Sequence, residues 1–195
     1  MKSGNDDDPR ETTEAPCTDG FNVVLIGFMG VGKTAVGERV AAGLGFRFAD
    51  TDKLIETAAG KPIPEIFAER GEAGFRSLET SVLQQLLGEE HLVISTGGGV
   101  VTVPGNIPLL HRLGYVVLLT TTEEIIFRRI SANQNRPLLQ TPNPRKTVRK
   151  LLAARAHLYK QAADLEIDTS ELNEAEIAFG ICESARVQCR NDSRK

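Results

Sequence analysis

The stretch Gly27-Phe28-Met29-Gly30-Val31-Gly32-Lys33-Thr34 constrains this chain more than any other. It fits G-x-x-x-x-G-K-[ST], and its flanks agree with it. Val23-Val24-Leu25-Ile26 ahead of it is a short β-branched apolar run, the mark of a buried strand. Thr34 to Leu44 behind it carries apolar residues at helical spacing. A strand, a glycine turn and a helix together aim successive backbone N–H groups and a helix N-terminus at a phosphate. Gly27, Gly30 and Gly32 let the backbone turn and approach the ligand with no Cβ in the way. The motif therefore reads as a nucleotide-binding P-loop. Gly30, Val31, Gly32, Lys33, Thr34 and Ala35 are the expected nucleotide-binding residues, with Lys33 reaching the β- and γ-phosphates and the Thr34 hydroxyl ligating Mg²⁺.

A chain of 195 residues, 41% hydrophobic and 25% charged, is an ordinary globular composition and large enough for one domain with a real core. The net charge of −3 is unevenly placed. Residues 1–20 hold Lys2 and Arg10 against Asp6, Asp7, Asp8, Glu11, Glu14 and Asp19, a net of −4, so the remainder is close to neutral. That head has no apolar pattern and reads as a disordered acidic tail. It lacks the apolar core of a secretory signal and is too acidic for an organellar transit peptide. No apolar run is long enough to span a membrane, and a cytoplasmic location is expected. Cys17, Cys182 and Cys189 form no CxxC pair. The last two sit seven apart on one expected helix, and free thiols are expected.

Beyond the first helix, Phe46 to Ala49 reads as a second strand ending at Asp50-Thr51-Asp52, with Thr51 or Asp52 capping a helix from Lys53 to Ala59. Gly60-Lys61-Pro62 breaks that helix. A short helix from Glu65 to Arg70 stops at Gly71, and a longer one runs from Glu72 to Leu87. Leu92 to Ser95 is a third strand, delivered into Gly97-Gly98-Gly99. A helix over Pro104–Leu113, a strand over Tyr115–Leu119 and a helix over Glu123–Ile130, capped by Thr121 or Thr122, follow. Residues 131–144, with Pro137, Pro142 and Pro144, have no periodicity. A helix over Arg145–Ala162, a strand over Leu165–Asp168 and a helix over Asn173–Val187 complete the single domain at 21–187, leaving 188–195 as a C-terminal tail. Strands alternating with helices predict an α/β fold: a parallel sheet covered on both faces, with ligands at the carboxyl ends of the strands.

Three loops should then open at one sheet edge: the P-loop, Asp50-Thr51-Asp52 and Gly97-Gly98-Gly99. Two carboxylates at i and i+2 can divide labour, one facing the Mg²⁺ shell and the other a substrate hydroxyl. They can equally be turn and capping residues. The three glycines can present N–H groups to a small polar ligand, or be a plain loop. From Arg128 to Lys160 the chain holds nine basic side chains and no acidic one, which points to an anionic ligand. With no Trp and one Tyr in that span, a nucleoside triphosphate fits better than nucleic acid. Arg136, in the irregular segment, is placed where a mobile lid at 131–144 would carry charge onto a transferring phosphoryl group.

In this order and spacing GFMGVGKT, Asp50-Thr51-Asp52, GEAGFRSLE (Gly71 to Glu79), STGGGVV (Ser95 to Val101), NRPLL (Asn135 to Leu139) and RAHLY (Arg155 to Tyr159) resemble the shikimate kinases, from about Asn22 to Ala185. The resemblance implies a three-layer α/β/α P-loop kinase fold, with a five-stranded parallel sheet in the order 2-3-1-4-5. It implies transfer of the γ-phosphoryl group of MgATP to the 3-hydroxyl of shikimate, with ATP and shikimate as partners and no nucleic acid or membrane. Carried over by position, Lys33, Asp52 and Arg136 are the catalytic residues. Asp52, Phe75, Arg76, Gly97, Gly98, Gly99 and Arg155 hold shikimate, with Glu79 orienting Arg76. Thr34 and Asp50 serve Mg²⁺, and Arg129 flanks adenine. A monomer is expected. The chain departs from the family pattern at Gln161 and Ala162 and in Asp168-Thr169-Ser170-Glu171, which lacks a basic residue. A gluconate kinase and a catalytically silent relative are the competing readings.

Overall fold

Apolar runs decide which strands lie inside. β1 (Val23–Ile26), β3 (Leu92–Ser95) and most of β4 (Tyr115–Thr120) are buried along their length, while β2 (Arg47–Asp50) and β5 (Leu165–Asp168) are half exposed. A strand covered on both faces has no solvent side for polar residues, whereas an edge strand keeps one. In this computed structural model, which describes residues 20–131 and 142–192, the five strands form one parallel sheet in the order β2-β3-β1-β4-β5. The expected α/β fold and strand order are borne out. Residues 1–19 of the acidic head, 132–141 of the lid segment and the last three residues lie outside the described residues, and Arg136 with them.

Alternate residues of each inner strand feed opposite layers. Val23 and Leu25 pack with α1 (Lys33–Leu44) and α7 (Glu174–Asp192) through Val36, Val40, Ile177 and Ile181. Val24 and Ile26 pack with α2 (Thr51–Ala59), α3 (Ile63–Gln85), α4 (Asn106–Leu113) and α6 (Pro144–Ala162) through Ile55, Phe75, Leu83, Leu110 and Tyr159. α5 (Glu123–Ser131) joins the first layer through Ile126 and Ile130. Buried Asn22 pins the far end of the sheet. Its amide donates to Glu89 O and Leu113 O, both at 2.8 Å, and its Oδ1 accepts from Leu92 N at 2.9 Å.

Several element ends differ from expectation for local reasons. Asp50, not Thr51 or Asp52, caps α2: its Oδ1 accepts from Asp52 N at 3.0 Å and Lys53 N at 3.4 Å, so strand passes into helix with no loop. Gly71 breaks α3 where expected, with φ 65° and ψ −176° inside an otherwise helical run. A 3₁₀ turn at Val100–Thr102 follows the glycines, too short for periodicity to announce. Asn173 and Glu176 form a reciprocal cap, and α7 runs to Asp192, five residues beyond the expected end. Cys182 is a free buried thiol, as expected. Cys189 is disulfide-bonded and does not match the expectation; seven helical residues, about 10 Å, separate it from Cys182. Among the described residues no helix is long and apolar enough to cross a membrane.

Candidate active site

Register brings the site together. Asp50 pairs with Ser95, and Ser95 with Leu25, so the strands preceding the three loops end level with one another. Between the loops lies a cleft of about 290 Å³ lined by Met29, Gly30, Gly32, Lys33, Thr34, Ala35, Asp50, Asp52, Ser95, Thr96 and Gly98. Gly32 starts α1 from the left-handed region, φ 100°, a conformation that only glycine takes cheaply. The first turn of α1 thereby lines the cleft, and a helix N-terminus so placed is the arrangement that binds phosphate.

The charged groups divide by role. Lys33 Nζ is folded back onto the loop, donating to Gly27 O at 2.8 Å and Phe28 O at 3.0 Å. Two backbone carbonyls of its own loop thus anchor the ammonium beside the cleft. Thr34 Oγ1 donates to Asp50 Oδ2 at 3.1 Å, so hydroxyl and carboxylate meet where the P-loop faces β2. Val31 turns its side chain into the core and has only its backbone to offer the cleft. Arg129, on α5, donates to Gly30 O at 3.1 Å and flanks the loop from outside.

The glycine run forms the second wall. The Gly97 N–H donates to the hydroxyl of fully buried Thr51 at 3.2 Å. A β-carbon at 97 would strike the Glu79 carboxylate and reach Asp52 Oδ1 at 3.0 Å; one at 98 would lie 3.1 Å from Met29 N. Close backbone approach within the protein is thus the reason for glycine at 97 and 98.

Both expected arginines reach this run, at consecutive residues. Arg76 lies against Gly99 and pairs with Glu79 and, at 3.0 Å, with Glu72. Among the described residues its buried Nε has no hydrogen-bond partner, and neither does Glu79 Oε1. Arg155, only 4% exposed, donates to Gly98 O at 2.9 Å and lies 5.7 Å from the centre of the Phe28 ring. Among the described residues it makes no ion pair with a carboxylate. Phe75 packs under Arg76 at 5.5 Å and beside Phe67.

Burial pushes the Glu79 carboxyl above its ordinary value, with Asp52 adding repulsion and Arg76 and Arg155 opposing. For Arg76 burial works against the charge, but Glu79 and Glu72 outweigh it and raise the guanidinium pKa. Burial likewise pushes the Tyr159 hydroxyl up to about 12.

Every expected site residue among the described ones therefore lies in or beside one crevice. Ser95 and Thr96 line it unanticipated; two polar residues between an apolar strand and a glycine run are the signal that could have found them. Thr51 was expected only as a cap. The arrangement can hold a polyphosphate against α1, a divalent cation between Thr34 and Asp50, a hydroxyl at Asp52 and a carboxylate on two guanidinium groups.

A family model described as shikimate kinase matches residues 29–186. The shikimate kinase of Thermodesulfovibrio yellowstonii is 45% identical over 157 residues, covering 80% of this chain and 90% of that protein. That of Caldanaerobacter subterraneus subsp. tengcongensis is 46% identical over 157 residues, covering 80% and 91%. The solved structure of shikimate kinase from Acinetobacter baumannii in complex with shikimate aligns with a TM-score of 0.82 at 41% identity, over 86% of this chain and 93% of that one. The site, the fold and these likenesses agree, and the chain belongs to the shikimate kinase family.

Proposed function

We propose that this chain is a shikimate kinase, transferring the γ-phosphoryl group of MgATP to the 3-hydroxyl of shikimate to give shikimate 3-phosphate and ADP. The observation that carries the acceptor assignment is Arg155. A buried guanidinium without a carboxylate partner is costly, and an acceptor carboxylate supplies the missing charge. Arg76, one glycine along and with an unused Nε donor, gives the second arm. Two planar guanidinium groups on different helices fix the orientation of a carboxylate as one ammonium cannot.

The triphosphate lies along the N–H groups of Gly30 to Ala35, and Lys33 exchanges the Gly27 and Phe28 carbonyls for phosphate oxygens. A hydroxyl beside a carboxylate is a donor set suited to Mg²⁺, which takes one or two protein oxygens and completes its shell with phosphates and water. Thr34 and Asp50 would hold it. When bound, Mg²⁺ supplies neutralisation of the phosphate charge. Asp52 holds the acceptor hydroxyl and takes its proton as the oxygen bonds to the γ-phosphorus and the bond to the bridging oxygen of ADP breaks. Gly97, Gly98, Gly99 and Phe75 shape the acceptor pocket. Arg129 flanks the nucleotide, and Arg136 is assigned to the transferring group from the family resemblance alone.

The test is ADP release by the purified full chain with MgATP and each of shikimate, quinate, gluconate and the nucleoside monophosphates. Shikimate is expected to have the highest kcat/KM by at least tenfold; a better acceptor among the others overturns the assignment.

A further inference from the structure

The Arg155 guanidinium is held by the Phe28 ring and by the Gly98 carbonyl it shares with Tyr159, and neither the Phe28 nor the Tyr159 side chain has been given a part in the reaction. The Arg155 Cζ sits 5.7 Å from the centre of the Phe28 ring. Phe28 belongs to the phosphate loop, and its own carbonyl accepts from Lys33 at 3.0 Å. The Gly98 carbonyl that takes the Arg155 N–H at 2.9 Å also takes the Tyr159 hydroxyl, one helical turn further along α6. A carbonyl oxygen has two acceptor sites, and here both are filled from α6. The Tyr159 hydroxyl, with a pKa of about 12, remains a donor at any pH at which the protein works.

Packing and directed contacts hold the two rings together: both are buried in the core layers, and each borders a half-open apolar pocket of about 340 Å³ whose walls include Leu118, Ile126 and Leu152. A ring packed on one side and bordering open space on another is aimed by its directed contacts. Two such contacts act here: the cation–π contact of Phe28 with Arg155, and the Tyr159 hydroxyl on Gly98. Gly98 is in turn seated against the P-loop, since a β-carbon on it would lie 3.1 Å from Met29 N. A shift of either ring would therefore move the guanidinium, the glycine loop, or both.

We infer that Phe28 and Tyr159 are positioning residues for the acceptor carboxylate, acting through Arg155 and Gly98. The inference rests on the acceptor reading of Arg155 given above. Its unusual consequence concerns Phe28: this residue lies in the phosphate loop, yet its ring serves the acceptor and not the nucleotide. Phe28→Leu keeps an apolar side chain and the backbone carbonyl that Lys33 uses, and removes only the aromatic face. Tyr159→Phe removes a single oxygen.

Steady-state kinetics of the full chain test this, varying shikimate and MgATP separately, with thermal melts run alongside. A desolvated cation–π contact or a hydrogen bond to a positioned carbonyl corresponds to roughly a three- to thirtyfold change. Each variant is expected to raise KM for shikimate by about that factor, while KM for MgATP moves less than about twofold. Combining Tyr159→Phe with Arg155→Lys should cost less than the product of the two single effects, because both act on one guanidinium and one carbonyl. A purely structural role would move both KM values in step with the melting temperature, and that result overturns the inference. So does an unchanged shikimate KM in both variants while the wild type turns shikimate over, an outcome that leaves the proposed function standing. A wild type inactive on shikimate sinks the proposed function, and this inference falls with it.

Discussion

Arg76 lies so close to Gly99 that a β-carbon on the glycine would occupy the space of the guanidinium. Gly99 itself has φ −112° and ψ 0°, a conformation open to any residue. Gly99→Ala is therefore a wedge that leaves the backbone unstrained. The methyl group should push the Arg76 guanidinium out of its seat, raising KM for shikimate by about tenfold or more, the scale of one misplaced charge-assisted hydrogen bond. The melting temperature should stay within a few degrees. Unchanged acceptor kinetics in a folded Gly99→Ala protein would mean that Arg76 has no part in holding the acceptor.

Arg155 and Arg76 differ in how their charge is balanced. Arg76 already pairs with Glu79 and Glu72, whereas Arg155 rests on a carbonyl and an aromatic face. Lysine can replace the charge at either position, but not the planar two-donor geometry. Arg155→Lys and Arg76→Lys should each weaken shikimate by about 1.5–3 kcal/mol, and Arg155→Lys by the larger amount, because among the described residues no carboxylate forms an ion pair with Arg155. Titration of ATP in the absence of acceptor should barely change. Equal losses for ATP and shikimate would place these guanidinium groups at the nucleotide instead.

The fold was legible because its signals are local. The apolar runs of β1 and β4, the left-handed glycine at 32 and the break at Gly71 each depend on residues within a turn or two. The P-loop and the two acid residues were legible in the same way. What stayed hidden depends on partners far along the chain. Asn22 is an unremarkable polar residue until Glu89, Leu92 and Leu113 surround it. Thr51 reads as a cap until Gly97, 46 residues on, donates to its hydroxyl. Phe28 fills a position at which the motif accepts any residue, and only the path of α6 brings Arg155 over its ring. Cys189 could not be read from spacing, since a disulfide depends on tertiary approach. The pairing of Arg76 with Arg155 came from the family resemblance; nothing in the spacing of residues 76 and 155 places both at one glycine run.

Asp50 does two things with one carboxylate: Oδ2 meets the Thr34 hydroxyl and Oδ1 caps α2. Asparagine is as good a cap as aspartate but carries no charge for a cation. Asp50→Asn should therefore keep the melting temperature of the wild type. The Mg²⁺ concentration for half-maximal rate should rise about three- to tenfold, with kcat partly recovered at high Mg²⁺. An unaltered Mg²⁺ titration would confine Asp50 to capping.

Glu79 gives a pH test of its pairing with Arg76 that needs no substrate. It is 1% exposed, and burial, with repulsion from Asp52, holds its carboxyl above the ordinary value of 4.5. The unfolded chain titrates near that ordinary value, so at intermediate pH the native state binds the proton more tightly. By linkage, the stabilisation from this group is complete below the unfolded pKa and is lost as pH rises through the native one. Each unit of separation between the two corresponds to about 1.4 kcal/mol. Glu79→Gln has nearly the same shape, does not titrate and leaves Arg76 its pairing with Glu72. The stability of the wild type relative to Glu79→Gln should thus fall as pH rises from about 4, then level off once Glu79 is ionised in the native state. Relief of the Asp52 repulsion in the variant acts in the same direction. Denaturant unfolding of both proteins between about pH 4 and 8 measures the difference directly. A difference that grows with pH would mean that the native state favours ionised Glu79, with Arg76 outweighing the cost of burial.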